Sequence, residues 1–363
     1  MILYCDQAAA AGIDGETADF FADVCRIAYA NQESLHSGAF ELRKALDEAG
    51  NEFARLLTGG DEFAVCWCSS GTDAFLLLEY SGVLKNKRAV TSALEHPALK
   101  AVLERNCCGV RTLKCGRQGE IIFENGDFDI AAFHSVQSEL GTVQDIPFLM
   151  KNLPAHCIRF TDAVQSAGKM DMEKIAEYSD IIAVSGMKFA SPGGGALLVR
   201  KTCAWSREFL KSVSRIRHPE YRAGRIFPPT ALTCVYALQK CCSRMQDNLK
   251  KMRELNGFLR RELAGENVVF SVPENLSSPY ILHLYLPGKQ GGVAVRMLSE
   301  RGILAGSGSA CAAESRDGST VLRAIGYSAK ESFSGLRLSF GFDFSFEQAE
   351  FLVKNLIQVL KNY

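Results

Sequence analysis

Short apolar runs alternate with longer amphipathic segments from residue 62 to residue 201, and this alternation limits the folds open to the chain. EFAVCWC (62–68) predicts a buried strand, and TDAFLLLEYSGVL (72–84) predicts the helix after it. RAVTS (88–92) and PALKAVLERN (97–106) repeat the pattern. Further strands are predicted at FDIAAFHSV (128–136), HCIRFTDA (156–163), DIIAVSG (180–186) and GALLVRK (195–201). This order favours an α/β fold with a mainly parallel sheet covered by helices on both faces.

The pattern changes toward the end of the chain. Apolar periodicity predicts a long helical stretch from about Thr230 to Leu263. After it, strand-like and helix-like segments predict a small α+β domain. These segments are PYILHLYL (279–286), GVAVRMLSERG (292–302), SGLRLSFG (334–341) and FEQAEFLVKNLIQVLKN (346–362).

Composition excludes several classes of protein. Lys+Arg and Asp+Glu number 41 each among 363 residues, so no basic excess favours nucleic acid as a partner. We find no signal peptide and no apolar run of membrane-spanning length, so a cytoplasmic protein is expected. The 13 cysteines are scattered and odd in number, which disfavours a disulfide framework, and their spacing predicts no metal site.

Polar residues follow the predicted strands, where open α/β sheets bind ligands. SSGTDA (69–74) joins a strand to a helix, and Gly71 would let helix amides face an anion such as phosphate; a plain helix cap would explain it too. Asp162 in TDAVQ could cap a helix or face a cationic ring nitrogen. Lys188 in SGMKFASPGGG could be a surface lysine or form a Schiff base.

Two more residues fit the same kind of site. His96 in EHPALK lies at a strand-to-helix turn, where histidines are also used structurally. Arg337 lies among apolar neighbours in GLRLSFG, and its guanidinium suits a carboxylate unless this strand face is exposed. A phosphate cradle, an acid, a lysine and a histidine together indicate pyridoxal 5′-phosphate (PLP).

The chain resembles the NifS/IscS-like cysteine desulfurases, which are class V, fold type I PLP enzymes. The resemblance covers nearly the whole chain. Its most specific segments are EHPALKAVLE, SVQSELGTVQDI, TDAVQSAGKM, SGMKFASPGGGALLVR and SGSACAAES. It implies a large PLP-binding domain (1–250) with a mainly parallel seven-stranded sheet, and a small C-terminal α+β domain (251–363) to which the N-terminal segment contributes.

The resemblance also assigns roles to residues. Lys188 corresponds to the Schiff-base lysine, and His96 to the histidine that stacks on the ring and assists proton transfer. Asp162 corresponds to the partner of the pyridine nitrogen. The remaining cofactor contacts implied are Gly71, Thr72, Gln165, Ser185 and Arg225, and the substrate contacts implied are Arg337, Asn31 and Ser138.

Cys311, in the Gly- and Ser-rich run GILAGSGSACAAES (302–315), corresponds to the nucleophilic cysteine on a mobile loop. The implied reaction converts L-cysteine to L-alanine in a homodimer and leaves a persulfide on Cys311 for a sulfur-acceptor protein. The sequence does not identify that acceptor, and iron–sulfur cluster assembly, tRNA thiolation and a dedicated pathway all stay open.

Three positions depart from the family pattern. Met187 replaces a histidine that binds phosphate, Ser138 replaces an asparagine near the cofactor, and Arg225 replaces a threonine that reaches the partner subunit's phosphate. We hypothesise that Arg225 restores phosphate contacts across the dimer, the alternative being weaker cofactor binding. These departures keep two other functions open: another class V PLP enzyme (a selenocysteine lyase or an aminotransferase), and a non-catalytic homologue that binds a partner.

Overall fold

The computed structural model describes residues 2–214, 226–308 and 318–363. Its strands are β1 (Leu3–Tyr4), β2 (Phe63–Cys68), β3 (Arg88–Ser92), β4 (Gly109–Leu113), β5 (Ile130–His134), β6 (Ile158–Asp162), β7 (Ile181–Ser185), β8 (Gly195–Arg200), β9 (Val269–Phe270), β10 (Ile281–Tyr285), β11 (Ile303–Leu304) and β12 (Gly335–Ser339).

The helices of the described residues are α1 (Gly15–Ile27), α2 (Ser37–Thr58), α3 (Gly71–Tyr80), α4 (Pro97–Asn106), α5 (Ile146–Lys151), α6 (Glu173–Glu177), α7 (Ser206–Ser214), α8 (Pro228–Ser243), α9 (Met245–Leu263), α10 (Gly291–Ser299), α11 (Thr320–Ala324) and α12 (Phe346–Asn362). Within the described ranges, no helix combines the length and the apolar character needed to span a membrane.

The largest sheet has seven strands in the order β2-β8-β7-β6-β5-β3-β4. β8 is antiparallel to both of its neighbours, β2 and β7, and the other neighbouring pairs are parallel. The predicted seven-stranded, mainly parallel sheet is therefore confirmed. β4 was not predicted, because its side chains are mostly exposed and its sequence GVRTL lacks an apolar run.

Helices cover both faces of this sheet. Ile181 belongs to a buried cluster with Phe75 of α3 and Leu99 of α4. The next residue, Ile182, belongs to a different cluster with Phe53 of α2 and Leu238 of α8. Successive side chains of a strand face opposite sides of the sheet, so the two adjacent isoleucines pack in two separate cores. This is why the sequence of the strand is a continuous apolar run.

The remaining strands form two small sheets. β1 pairs with β11 in parallel, while β10 lies between β9 and β12 in an antiparallel sheet. One buried cluster joins Leu3 and Cys5 of the N-terminal segment to Leu255, Leu282 and Leu356. The start of the chain thus packs with residues from its last third, and the proposed domain boundaries stay a prediction.

The predicted helical stretch from about Thr230 to Leu263 forms two helices rather than one, because the chain breaks at Arg244. This residue leaves the helical region with φ −115° and ψ 9°, and it separates α8 from α9. The two helices bury different cores: Leu238 packs against the large sheet, while Leu255 and Leu259 pack with the small sheets. A single straight helix could not bury apolar side chains in both cores, although the apolar residues keep a helical spacing across Arg244.

Candidate active site

A cavity of about 230 Å³ opens at the carboxyl edge of the parallel strands. It collects most of the residues that the sequence singled out. Its lining includes Gly71, Thr72, His96, Ser138, Asp162, Gln165, Ser185, Lys188 and Arg337, together with Met187. Parallel strands place their carboxyl ends at one edge, which is why residues separated widely in sequence meet there.

The N-terminus of α3 forms one wall of the cavity. Ser70 caps the helix, its Oγ accepting from the Asp73 amide at 3.1 Å. The amides of Gly71 and Thr72 belong to the first turn, where helix geometry provides no internal acceptor. A Cβ on Gly71 would lie 3.2 Å from Ser185 Cβ and from Val164 Cγ2. Glycine therefore lets the helix end approach β7 closely, and the amides of the first turn can hold an anion.

Lys188 enters the cavity from a 3-10 turn, Gly186–Lys188, that directly follows β7. Its Nζ donates to the carbonyl of Ala9, which belongs to the N-terminal segment and also lines the cavity. Met187 beside it is 37% exposed and lines the same cavity, so this position contributes an apolar side chain and no hydrogen-bond donor. The lysine is thus held by the backbone and keeps its amine at the cavity wall.

Asp162 ends β6 and is buried, with 8% of its surface exposed. Its Oδ1 accepts from the Val164 amide at 2.9 Å. Burial raises the pKa of Asp162 to about 6, against the opposing effect of that hydrogen bond. A cationic ring nitrogen beside this carboxylate would favour its ionised form and would itself stay protonated.

Gln165 lies one turn beyond Asp162 and lines the same cavity. Its Nε2 donates to the carbonyl of Ala8 at 2.9 Å. Its Oε1 is buried and has no hydrogen-bond partner among the described residues. A buried polar atom without a partner is costly, so a ligand with a polar group at this position would relieve the cost.

His96 caps α4, and its Nδ1 accepts from the Ala98 amide at 3.2 Å. The proton of the neutral ring is therefore on Nε2. Burial lowers the pKa of His96, and the positive charge of Lys188 lowers it further, against the opposing effect of Glu95. The ring packs beside Phe75, with the two centroids 5.8 Å apart. His96 thus presents a neutral aromatic face to the cavity.

His134 and Glu95 were missed by the sequence analysis. His134 ends β5 directly opposite Asp162 of β6 and lines the cavity. Its Nδ1 is 2.7 Å from Oε1 of Glu95, which also accepts from Ser92 Oγ at 2.6 Å. The only available signal was the position of His134 at the end of an apolar strand, and local sequence gives no indication of its partner.

Gln144 selects the tautomer of the His134 ring when that ring is neutral, although Glu95 and Asp162 raise the pKa of His134 against the opposing effect of burial. The Oε1 of Gln144 accepts from the Ile121 amide at 3.0 Å, and its Nε2 donates to the Gly119 carbonyl at 2.7 Å. These two contacts orient the amide, so the Nε2 that lies 3.2 Å from His134 Nε2 is a donor. His134 Nε2 must accept, which assigns the remaining proton to Nδ1 and the hydrogen bond to Glu95.

Arg337 is 2% exposed and reaches the cavity from the middle of β12. Its Nη1 donates to the carbonyl of Ser138 at 2.9 Å, and its Nη2 donates to Oδ1 of Asp6 at 2.7 Å. Its Nε is buried without a partner in the described chain. The observed contribution of Ser138 is its carbonyl, and Asp6 is a site residue that sequence reasoning did not find.

Among the predicted site residues in the described chain, Asn31 does not line this cavity. Asn31 is exposed, and its Oδ1 accepts from the Glu33 amide at 3.0 Å, so its role in the substrate site stays a prediction. Arg225 and Cys311 lie outside the described residues.

The family model described as aminotransferase class V matches residues 3–352. The chain belongs to the class V aminotransferase family.

Relatives within this class V family are named as enzymes, which confirms the expectation of an enzyme. One is a putative cysteine desulfurase IscS 1 of Bacillus subtilis, 27% identical over 376 residues that cover 99% of this chain and 98% of that protein. Another is a cysteine desulfurase of Trichormus azollae, 26% identical over 341 residues that cover 90% of this chain and 84% of that protein.

Two solved structures share the fold of this chain. A NifS-like protein from Rickettsia africae has a TM-score of 0.84 at 19% identity, over 99% of this chain and 100% of that one. A structure described as SspA in complex with cysteine has a TM-score of 0.73 at 22% identity, over 93% of this chain and 98% of that one. The expected fold is therefore confirmed.

Membership of the class V family implies PLP, and the described residues fit it. The close approach at Gly71 leaves helix amides for a phosphate. Asp162 offers a buried carboxylate to a ring nitrogen, Lys188 offers an amine, and the unpartnered Oε1 of Gln165 lies in the same lining. An anion site, an acid and an amine within one cavity match the three polar ends of this cofactor.

Proposed function

We propose that the chain is a PLP-dependent cysteine desulfurase that converts L-cysteine to L-alanine and leaves the sulfur on Cys311. One observation carries the proposal: Lys188, Asp162 and Arg337 line a single cavity with the free helix end at Gly71. A lysine, a buried acid and a buried arginine serve an amino acid bound to PLP better than they serve a purely structural pocket.

Each cavity residue has a role in the proposed reaction that follows from its chemistry. Bound PLP would supply the electron sink that stabilises negative charge at the substrate α-carbon. Arg337 orients the substrate carboxylate, for which its unpartnered Nε is one available donor. Lys188 removes the α-proton at its Nζ. Asp162 would keep the ring nitrogen of a bound cofactor protonated, and His96 would offer its neutral ring to the same cofactor.

The proposal requires Cys311 to reach the cavity, and the described chain that precedes it supports this requirement. Gly306 forms a bridge with Arg337, and a Cβ on Gly306 would lie 3.2 Å from Arg337 Nη2. Cys311 follows five residues later, and five extended residues span up to roughly 18 Å. In the proposed step, the Cys311 thiolate attacks the sulfur of the substrate and forms an S–S bond. The carbon–sulfur bond breaks, the carbon fragment gains a proton and leaves as L-alanine, and Cys311 holds the persulfide.

A homodimer is part of the proposal. Four large apolar side chains are exposed within residues 27–40: Ile27, Tyr29, Leu35 and Phe40 are 77%, 78%, 101% and 58% exposed. Such a cluster favours burial against a second copy of the chain. Replacement of Leu35 and Phe40 by glutamate is expected to convert a dimer to a monomer in light scattering. A wild-type monomer at micromolar concentration would contradict this part.

The deciding experiment measures sulfide and alanine released from L-cysteine, with added PLP and a reductant. Wild type, Cys311→Ala and Cys108→Ala are compared, since Cys108 is an exposed cysteine and serves as the matched control. We expect equal amounts of both products from wild type and the control, and neither from Cys311→Ala.

Other outcomes point to the alternatives. Pyridoxal phosphate binding without sulfide release would shift the function to selenocysteine or to another amino acid. Loss of both binding and release would favour a non-catalytic homologue. Release that persists in Cys311→Ala would remove the nucleophile from the proposal.

A further inference from the structure

One buried carboxylate, that of Glu139, meets the chain on both sides of the segment that carries Cys311. Only 1% of the surface of Glu139 is exposed. Gly308 is the last described residue before that segment, and Ser319 lies just after it. Both are distant from Glu139 in sequence, and both lie against its side chain. Burial of a carboxylate is costly unless it is well hydrogen-bonded, so contacts with these two flanks help to account for its position.

Ser319 fixes the downstream flank to this carboxylate. Its Oγ accepts from the Leu322 amide at 3.1 Å, which caps α11. An amide N–H can only donate, so the proton of the Ser319 hydroxyl is available to the other neighbour of Oγ. That neighbour is Oε1 of Glu139, which accepts at 2.5 Å. The start of α11 is therefore joined to the carboxylate by a hydrogen bond whose direction is determined.

The upstream flank passes directly over the same carboxylate. A Cβ on Gly308 would lie 3.5 Å from Oε2 of Glu139 and 3.6 Å from Oε1. Two residues earlier, Gly306 exchanges both backbone hydrogen bonds with Arg337, at 3.1 and 2.7 Å. The chain is thus held beside β12 at Gly306 and reaches the Glu139 side chain at Gly308.

The turn that carries Glu139 is itself well fixed. Oε1 of Gln137 accepts from the amides of Glu139 and Leu140, at 2.6 and 2.7 Å. The carbonyl of Ser138, in the same turn, accepts from Nη1 of Arg337 at 2.9 Å. One turn therefore supports both the arginine of the proposed substrate site and the two flanks of the Cys311 segment.

His283 also faces this carboxylate, but at a longer distance. Its Nε2 lies 3.9 Å from Oε1 of Glu139, which is beyond hydrogen-bond range. Burial lowers the pKa of His283 to about 3, and the charge of Arg337 lowers it further, so the ring is neutral near pH 7. The Ser319 hydroxyl is therefore the closer and stronger of these two contacts.

We propose that Glu139 is a positioning residue for the Cys311 thiol: its carboxylate fixes both flanks of the Cys311 segment to the turn that also holds Arg337. Cys311 is three residues from Gly308, so an anchor there limits it to within roughly 11 Å of that point. An anchor at Gly306 alone would allow up to roughly 18 Å. The smaller volume raises the effective concentration of the thiol beside the cavity. This inference rests on the proposed function, in which Cys311 must reach the substrate sulfur.

The first test uses the cofactor-free protein. Native-state cleavage by trypsin after Arg316, which belongs to the segment, reports how often the segment opens. Glu139→Met keeps a side chain of similar size without an acceptor, and Ser319→Ala removes the hydroxyl donor. We expect cleavage after Arg316 to accelerate at least about fivefold in both variants. It should stay near the wild-type rate in Ser319→Thr, which keeps the hydroxyl, and in Glu104→Met, the control at an exposed glutamate.

The second test uses the protein loaded with PLP. In Glu139→Met, kcat for sulfide release from L-cysteine should fall at least about fivefold, while KM stays within about twofold of the wild-type value. Exchange of the α-hydrogen of L-alanine with deuterated water needs Lys188 and not Cys311, so its rate should be unchanged. A general disturbance of the turn would change KM and the exchange rate as well, because Ser138 holds Arg337 there.

Unchanged cleavage after Arg316 in folded Glu139→Met and Ser319→Ala would overturn the proposal. A fall in kcat with an equal loss of α-hydrogen exchange would overturn it too. If Glu139→Met does not fold, the comparison of Ser319→Ala with Ser319→Thr decides. Failure of the proposed function looks different, because cleavage would still accelerate in the variants while the wild type releases no sulfide from L-cysteine.

Discussion

Arg337 donates from Nη2 to Oδ1 of Asp6 at 2.7 Å, across 331 residues of chain. The pair joins the N-terminal segment to β12 and fixes one edge of a guanidinium that is almost fully buried. The Ser138 carbonyl fixes the other terminal nitrogen. The arginine is therefore oriented before any substrate arrives, and a carboxylate that binds it meets a preformed site.

Arg337→Lys should impair substrate binding more than it impairs chemistry. One ammonium group cannot contact Asp6 and Ser138 and also face a carboxylate as a planar fork does. We expect KM for L-cysteine to rise about 100-fold with a smaller change in kcat. Asp6→Asn keeps an oxygen acceptor and should raise KM less. Arg323→Lys, at an exposed arginine of α11, is the control, and equal KM values in wild type and Arg337→Lys would contradict the assignment.

Gly71→Ala should weaken binding of PLP. The added methyl group would meet Ser185 and Val164 at 3.2 Å, so the end of α3 must move away from its neighbours. We expect the dissociation constant for PLP to rise at least about tenfold, measured by absorbance titration. Gly15→Ala is a matched control, because Gly15 also begins a helix directly after a cap and a Cβ there has no atom within 4 Å. Equal affinity in the two variants would contradict the phosphate cradle.

Local sequence patterns predicted elements such as β3 and α4. They also predicted polar residues at or just after a strand end, such as Asp162 and Lys188. They did not predict contacts between distant segments. Asp6 and Arg337 meet only because the first strand pairs with β11 beside β12. Neither residue carries a local signal of the other. The break at Arg244 was missed for a related reason. The apolar residues keep a helical spacing across it, and only packing against two separate cores requires the chain to change direction there.

Asp162 should make the cofactor-free protein less stable at neutral than at acidic pH. Burial raises its pKa in the folded state to about 6 from 3.8, so between these values the folded chain binds more protons than the unfolded chain. Its contribution to stability is present below about pH 4 and is lost as pH rises through about 6.

Asp162→Asn removes this dependence. Its free energy of unfolding in urea should exceed that of the wild type by up to about 3 kcal/mol at pH 7.5, with little difference at pH 4. The same variant should lose most activity, because no carboxylate faces the ring nitrogen. If the difference in unfolding free energy between wild type and Asp162→Asn does not change with pH, the pKa of Asp162 is not raised.

Glu95 and His134 should depend on each other for stability. Both are buried, their polar atoms are 2.7 Å apart, and the second oxygen of Glu95 has no partner in the described chain. Replacement of either residue alone by methionine leaves the other with an unmet polar group, at a cost of about 3 kcal/mol. Replacement of both should cost less than the sum, with a coupling of about 1 to 3 kcal/mol in urea unfolding.

The matched comparison is the more exposed pair Arg105 and Glu79, 2.6 Å apart, for which the coupling should stay below about 1 kcal/mol. Additive effects at Glu95 and His134 would mean that each residue acts alone. A measured coupling would instead support a structural pair behind Asp162, since His134 faces that residue across β5 and β6. Burial lowers the pKa of His134, but Glu95 and Asp162 together raise it by more, so the coupling should weaken as the pH rises through that pKa.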